Sequence, residues 1–533
     1  MKKNNRDAQK FFEMALAELG AGNLKLALTS ARKLTKLAPK VGDAWSLRGI
    51  ISQQSGELND AVKFFSKAVK LSPKDGGLRN NQGNALRAIG RLDEAIKTYR
   101  RSLELRPNHF DTLMNLGNTL SEQRRYPEAE SVFREVISLA PQEKAGYLNL
   151  GTVLCATHRY QEGLEIFQML LVNGQDSVDV RNNIYNCLVS LGRFDAAESE
   201  LSRIKEMAPD DPNITVNASI LYFLMGRWQD GWEAYAARWQ WKPEEIRPFP
   251  QPWWNGEPLD GRKLLIWFEQ GLGDQILYAC MIPDLVEKGA ILTCECDERL
   301  VPIFKRSFPK LMVYPQLIPA ISDPDIVNCE LQCPITNFGK EFRANESHFR
   351  GGQAYLVADQ ERTSKLRAKY LAGSNDLLVG LSWRSFNPDT GDLKSIPLQS
   401  LKLLFNVAGI QFVNLQYGKT QVEEIECSRK YGFEMIKDPE IDPMTDVDGH
   451  AAQVAAMDLI ISVSNTTVHV AGALGIPAWC FLQKIPSTRW LMNREDSPWY
   501  SSVRLFRQHT AQNWTEPIAA VADALSEFAI FRS

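Results

Sequence analysis

Two stretches of the sequence hold residues whose types and spacing suit chemistry on an anion. The first is Gln270-Gly271-Leu272-Gly273-Asp274. Two glycines let the backbone approach a ligand closely, and a helix opening there offers its N-terminal amides to negative charge. The third glycine of a dinucleotide fingerprint is missing, so a plain strand-to-helix turn capped by Asp274 is the alternative. The second stretch runs from Ser462 to Pro477, where Ser464, Asn465, Thr466 and Thr467 precede His469. Four hydroxyl or amide side chains in succession at a helix start would hold a phosphate or diphosphate without a metal. His469, in the first turns, would cap or protonate a leaving phosphate, and again a capped structural turn is the alternative.

No metal site is expected. Asp323-Pro324-Asp325 and Asp446-Val447-Asp448 have the spacing of a metal-binding pair, but neither follows a strand as a metal-binding D-x-D needs. Cys294 with Cys296 and Cys329 with Cys333 have no histidine nearby and read as buried small hydrophobes. Nine cysteines, an odd number scattered through a large chain, suit a reducing, cytoplasmic setting.

The elements that position these motifs are short apolar runs. Residues 264–268, 290–294, 377–383, 411–415 and 459–463 read as buried strands with helical patterns between them. Such alternation predicts parallel, doubly wound sheets. About 270 residues from Lys263 onward suffice for two such domains, 263–374 and 375–533, with the break near Ala372-Gly373-Ser374-Asn375. Residues 241–262 are rich in proline and tryptophan and read as an ordered linker, because Trp253 and Trp254 demand burial.

The first 240 residues carry a different signal. Pro39, Pro73, Pro107, Pro141 and Pro209 stand on a 34-residue step, one beat being missed at Gln175. Ala27, Ala61, Ala95, Ala129, Gly163 and Ala197 keep the same step, as do Gly49, Gly83, Gly117 and Gly151. So do Phe65, Tyr99, Phe133 and Phe167. The small residues let two helices approach, the aromatic fills the gap between them, and Gly22, Gly56, Gly90, Gly192 and Gly226 suit the reversals. Each unit is a helix hairpin that buries its apolar face only by stacking on its neighbours. With Trp45, Gly49, Ala61, Phe65, Ala68 and Pro73 in these places, the unit resembles the tetratricopeptide repeat (TPR), in six or seven copies.

A polar series runs in the same register. Asn81, Asn115, Asn149, Asn183 and Asn217 are also 34 residues apart, with Asn84, Asn118 and Asn186 as a partial second row. Asparagine gains nothing in a helix interior. One reading is hydrogen bonding between neighbouring hairpins. The other, preferred here, is a ladder along the inner groove that binds the backbone of an extended protein acceptor. Such a ladder is similar to that of the O-GlcNAc transferases, which also join these repeats to a glycosyltransferase.

Gln-Gly-Leu-Gly-Asp at 270–274 and Ser-Asn-Thr-Thr-x-His-x-Ala-Gly-Ala-Leu-Gly-x-Pro at 464–477 together resemble bacterial TPR-containing glycosyltransferases. These are similar in turn to the ADP-heptose transferases. Gly380 to Arg384, Lys394 to Leu398, Leu415-Gln416, Ser497 to Tyr500 and Leu505 to Gln508 extend the likeness. The resemblance implies a GT-B fold: two Rossmann-like domains facing a cleft, after an all-α TPR superhelix. It implies Asp274 as catalytic base. It implies donor binding by Gly271, Gly273, Trp383, Arg384, Lys394, Gln416, Ser464, Asn465, Thr466, Thr467 and His469, with Arg384 and Lys394 balancing phosphate charge. One departure is Ser464-Asn465, where heptosyltransferases usually carry Asp-Thr; it puts a shared donor in doubt.

The reading is thus a cytoplasmic, metal-independent glycosyltransferase. It needs no cofactor beyond a nucleotide-sugar substrate and acts on hydroxyl groups of a protein recruited by the repeats. Flagellin and a CMP-linked nonulosonic acid are the preferred acceptor and donor. One alternative is a heptosyltransferase-like enzyme acting on lipopolysaccharide or a lipid-linked glycan; the other is a scaffold with a retired transferase domain. A net charge of −3 disfavours nucleic-acid binding through a general phosphate field. No apolar run approaches a membrane span.

Overall fold

The computed structural model describes residues 2–317 and 323–532. The chain packs as two compact units, residues 1–209 and 210–533.

In the first unit, twelve helices from Lys2–Gly20 to Phe194–Met207 pair as six hairpins among the described residues. The physical reason is visible at the small residues. A Cβ on Gly83 would lie 2.4 Å from the Tyr99 ring, and one on Gly117 or Gly151 would lie 2.6 Å from Phe133 or 2.5 Å from Phe167. Each aromatic therefore seats on bare backbone of the preceding helix. Ala27, Ala61, Ala95, Ala129 and Ala197 are fully buried in the helix–helix contacts. Reversals use left-handed backbone at Gly22, Gly56, Gly90 and Gly192; Arg124 and His158 adopt the same conformation, at φ 58° and 62°, without glycine's freedom.

The second unit begins with a seventh hairpin, Pro212–Leu224 and Trp228–Tyr235. Its form continues the repeat, but its packing does not end at the expected boundary of 240. Trp228 stacks near Phe349 and Trp499, with ring centroids 4.7 and 6.0 Å away. Trp232 lies over Gly339, whose absent side chain makes room for the indole, and its Nε1 donates to the Arg343 carbonyl at 3.0 Å. Large aromatics with nowhere else to bury join this hairpin to the α/β region.

That region holds two all-parallel sheets. The strands are β1 Lys263–Trp267, β2 Ile291–Cys296, β3 Met312–Pro315, β4 Leu331–Pro334, β5 Leu377–Ser382, β6 Ile410–Asn414, β7 Leu459–Val463, β8 Ala478–Leu482 and β9 Val503–Arg507. Their orders are β3-β2-β1-β4 and β6-β5-β7-β8-β9. The linker is ordered: Trp253 packs on Trp239 and Trp267, Trp254 packs on Phe338, and Trp254 N donates to Gln332 O at 2.9 Å beside β4. The second sheet's domain starts earlier than residue 375. Helix Gln360–Leu371 packs on helix Val447–Ala455, with Arg362 paired to Asp446 at 2.5 Å and Tyr370 bonded to Gln453.

Candidate functional site

Reversal of strand order puts a crevice at the carboxyl ends of β1 and β4 in the first sheet, and of β5 and β7 in the second. Both singled-out motifs leave the sheets there. Helix Leu272–Tyr278 follows β1, and helix Thr466–Leu474 follows β7. The two helix starts touch. A Cβ on Gly273 would sit 3.1 Å from the His469 ring and 3.6 Å from Thr466 Oγ1, so glycine there permits the approach.

Asp274 lies in the first turn of its helix, and the cap position belongs to Gly271, so the capped-turn alternative for Asp274 fails. Its carboxylate forms an ion pair with Arg489, Nη2 standing 2.5 Å from Oδ1, in contact geometry rather than as a directed hydrogen bond. Arg489 Nη1 also lies 3.3 Å from His469 Nε2. Arginine has no acceptor, so Nε2 must accept, and the ring proton sits on Nδ1, which donates to the Tyr500 hydroxyl at 3.0 Å. Burial, with Arg489 and Lys394 nearby, drives the His469 pKa well below the usual histidine value. These contacts tell against His469 as the group that protonates a phosphate: it is only 2% exposed, stacked on Trp490, and has both nitrogens taken by Tyr500 and Arg489.

Other motif residues hold the scaffold. Asn465 caps its helix through Thr467 N at 3.0 Å and reaches back to Ser382 Oγ at 2.8 Å and Arg384 O at 3.1 Å, tying β7 to β5. Ser464 accepts from Trp490 Nε1 at 2.7 Å, and Thr467 Oγ1 meets His450. Gln416 Oε1 accepts from the backbone of Trp383 and Arg384. Glu423 takes the Trp383 indole at 3.1 Å and the Arg384 guanidinium at 2.7 Å. Arg384, expected on a phosphate, is thus already paired. Among the described residues of this site, Thr466, Lys394 and the Gly271–Gly273 amides keep donor capacity, as do the remaining N–H groups of Arg489. Burial first, and then Arg489, lowers the Lys394 pKa, while Asp274 opposes the change.

Sequence reasoning missed Arg489. A basic residue in Ser-Thr-Arg-Trp after β8 has no spacing to announce it. It also missed the share of the seventh hairpin and of the short helix Arg238–Trp241 that follows it. Gln270 Nε2 donates to the Tyr235 hydroxyl, and Arg238 reaches Glu269 Oε1 at 3.2 Å, Thr336 Oγ1 and Asn337 Oδ1. The acidic pairs have structural partners: Asp323 caps a helix and accepts from Tyr314, and Asp448 is paired with Arg306.

In the first unit, Asn115 Nδ2 donates to Asn80 Oδ1 at 3.1 Å and Asn149 Nδ2 to Asn118 Oδ1 at 2.8 Å. These bonds join the first helices of successive hairpins, as the first of the two sequence readings requires. Asn81 and Asn183 are half-buried in the same unit, whereas Asn217 lies in the second unit.

Comparison with known proteins bears on the first half most. Tetratricopeptide repeat families match residues 75–142 and residues 12–76 and 114–178. Protein FlbA of Caulobacter vibrioides is 32% identical over 360 residues, covering 64% of this chain. The chain spans 60% of the length of FlbA. Among solved structures, Pseudomonas aeruginosa PilF is 18% identical, covers 39% of this chain and 95% of its own, and has a TM-score of 0.34. A tetratricopeptide repeat protein from Parabacteroides merdae is 16% identical, with 45% and 93% covered and a TM-score of 0.40. Among the described residues no helix is long and apolar enough to cross a membrane. Residues 12–178 carry tetratricopeptide repeats within an N-terminal all-helical repeat region, and parallel sheets follow in an α/β layout consistent with the GT-B type.

Proposed function

We propose that this chain is a metal-independent glycosyltransferase that passes a sugar from a nucleotide-sugar to hydroxyl groups of a protein acceptor. The observation that supports it is the convergence at the two sheet crevices. Arg489, Lys394 and the start of helix Thr466–Leu474 gather positive charge beside one carboxylate, Asp274. Such a cluster suits the phosphates of a donor, and cationic groups aimed at a leaving phosphate stabilise the charge that develops as the glycosidic bond breaks. Asp274 takes the proton from the attacking hydroxyl. Neutral His469 holds Arg489 without adding a competing charge. The repeats recruit the acceptor. Flagellin remains the preferred acceptor, a CMP-linked nonulosonate the preferred donor, and the cytoplasm the preferred setting.

A thermal-shift panel with CMP, UDP, GDP, ADP and their sugars tests the reading, because a ligand bound only by the folded state raises its melting temperature. One nucleotide-sugar should raise it in the wild type and less in Lys394→Ala. A panel without any shift, together with no sugar found on acceptor protein by mass spectrometry, overturns the proposal in favour of a scaffold.

A further inference from the structure

A cavity of about 800 Å³ opens beside β9, the edge strand of the second sheet, and shares no residue with the Asp274–His469 cluster. Its floor includes Phe506 and Gln508, and the start of helix Thr515–Arg532 forms one wall. The size suits a small-molecule ligand. Its basic side chains outnumber its acidic ones, Glu495 and Glu516. Arg507 and Arg494 are occupied: Arg507 donates to the carbonyls of Trp490, Leu491 and Arg494, and Arg494 pairs with Asp496 and Glu346. Lys484 and His509 are exposed and have no ion pair among the described residues.

Two further observations point to a ligand. Gln508 is 4% exposed; its Oε1 accepts from Gln512 N at 3.1 Å, but its Nε2 has no hydrogen-bond partner. A buried amide donor without an acceptor is costly unless something supplies one. Left-handed backbone at Asn493, which is not a glycine, lines the cavity. Such conformations concentrate where a loop is held in shape for binding. Arg504 lies over the Phe506 ring at 4.8 Å and pairs with Glu495 at 3.4 Å; half of its side chain is exposed, which leaves one flat cationic face for a planar ring.

We propose that this cavity binds a phosphate-bearing ligand of the nucleoside monophosphate class. Its phosphate meets Lys484, His509 and the free Gln508 amide, and its base stacks on Arg504. The proposal does not depend on transferase activity.

Calorimetry on the full chain tests it, with CMP, AMP and inorganic phosphate as probes. In Lys394→Ala, nucleoside monophosphate binding should persist. In the Lys484→Glu, Arg504→Gln double variant it should weaken about tenfold or more, the loss expected for charge-assisted hydrogen bonds. Inorganic phosphate, having no base to stack, should bind more weakly than either nucleotide. Unchanged affinity in the double variant overturns the site. So does complete loss of nucleotide binding in Lys394→Ala, since that leaves only the crevice of the proposed transferase. If the double variant melts early, His509→Glu on its exposed side chain must reproduce the weakening; normal affinity there overturns the proposal.

Discussion

At Asp274 one ion pair, with Arg489, fixes the carboxylate on which the proposed function rests. Arg489 keeps the carboxylate in place, and His469 keeps Arg489 in place. Asp274→Asn preserves shape and removes the proposed base, so the proposed sugar transfer should fall about 10²–10⁴-fold with nucleotide affinity nearly unchanged. A transfer assay beside calorimetry checks this; a wild-type rate would put the base elsewhere. Titration of buried histidine gives a second expectation. Burial pushes the His450 pKa down to about 4, and His469 is shifted in the same direction. Above pH 6.5 the histidines are neutral in folded and unfolded chains alike and add no pH dependence. As pH falls below 6.5, the unfolded chain takes up protons that the folded chain refuses. Stability therefore drops, by about 2 kcal/mol at pH 5 for His450, whose share is complete only below about pH 4, and His469 adds in the same direction. Urea midpoints at pH 7 and pH 5 measure the drop, and His450→Gln should remove its own share; an identical drop in the variant would refute the assignment. Gly271, Gly273, Asp274 and Thr466 were legible at this scale because their types and spacing mark helix starts. Arg489 was not, because what selects it is a partner more than 200 residues away, at Asp274.

For the hairpins, the deciding contact is an aromatic ring on a bare glycine. Gly117→Ala should raise helix propensity by about 1 kcal/mol. The new methyl group, however, falls 2.6 Å from the Phe133 ring in a full core, and overpacking of this kind costs about 1–3 kcal/mol. The clash should win, and the variant should unfold at lower denaturant. Combined with Phe133→Leu, the two losses should be less than additive, since the smaller side chain relieves the clash. Strict additivity in that cycle would show that the glycine serves another purpose. The 34-residue period made these hairpins readable, since four position classes repeat it. The asparagine series was equally visible, but its role was not. A side-chain amide can donate to a neighbouring hairpin or to a ligand backbone, and only the Asn115–Asn80 and Asn149–Asn118 distances show where two of them go.

Across the whole molecule, hairpin form and packing allegiance part company after residue 209. The repeat's period runs on to about residue 240, so sequence periodicity alone puts the domain end there. Burial puts it elsewhere, because Trp228, Trp232, Tyr235 and Arg238 are spent on the α/β region. Two fragments separate these views. Residues 210–533 keep the seventh hairpin and should unfold cooperatively. Residues 241–533 lack it, which exposes the aromatic faces of Phe349 and Trp499 and strips Arg238 from Glu269. The Glu269 carboxyl is buried, and burial already raises its pKa with the arginine present. Removing one partner of a buried pair costs about 3–5 kcal/mol. Uncovering large aromatic surface adds about 1.5–3 kcal/mol for each fully exposed side chain. Against a total stability of about 5–15 kcal/mol, those losses should leave residues 241–533 unfolded or aggregated. Guanidinium denaturation followed by tryptophan fluorescence makes the comparison. If the shorter fragment melts cooperatively at the midpoint of the longer one, the seventh hairpin is an appendage of the repeats and its contacts with the α/β region are incidental to stability.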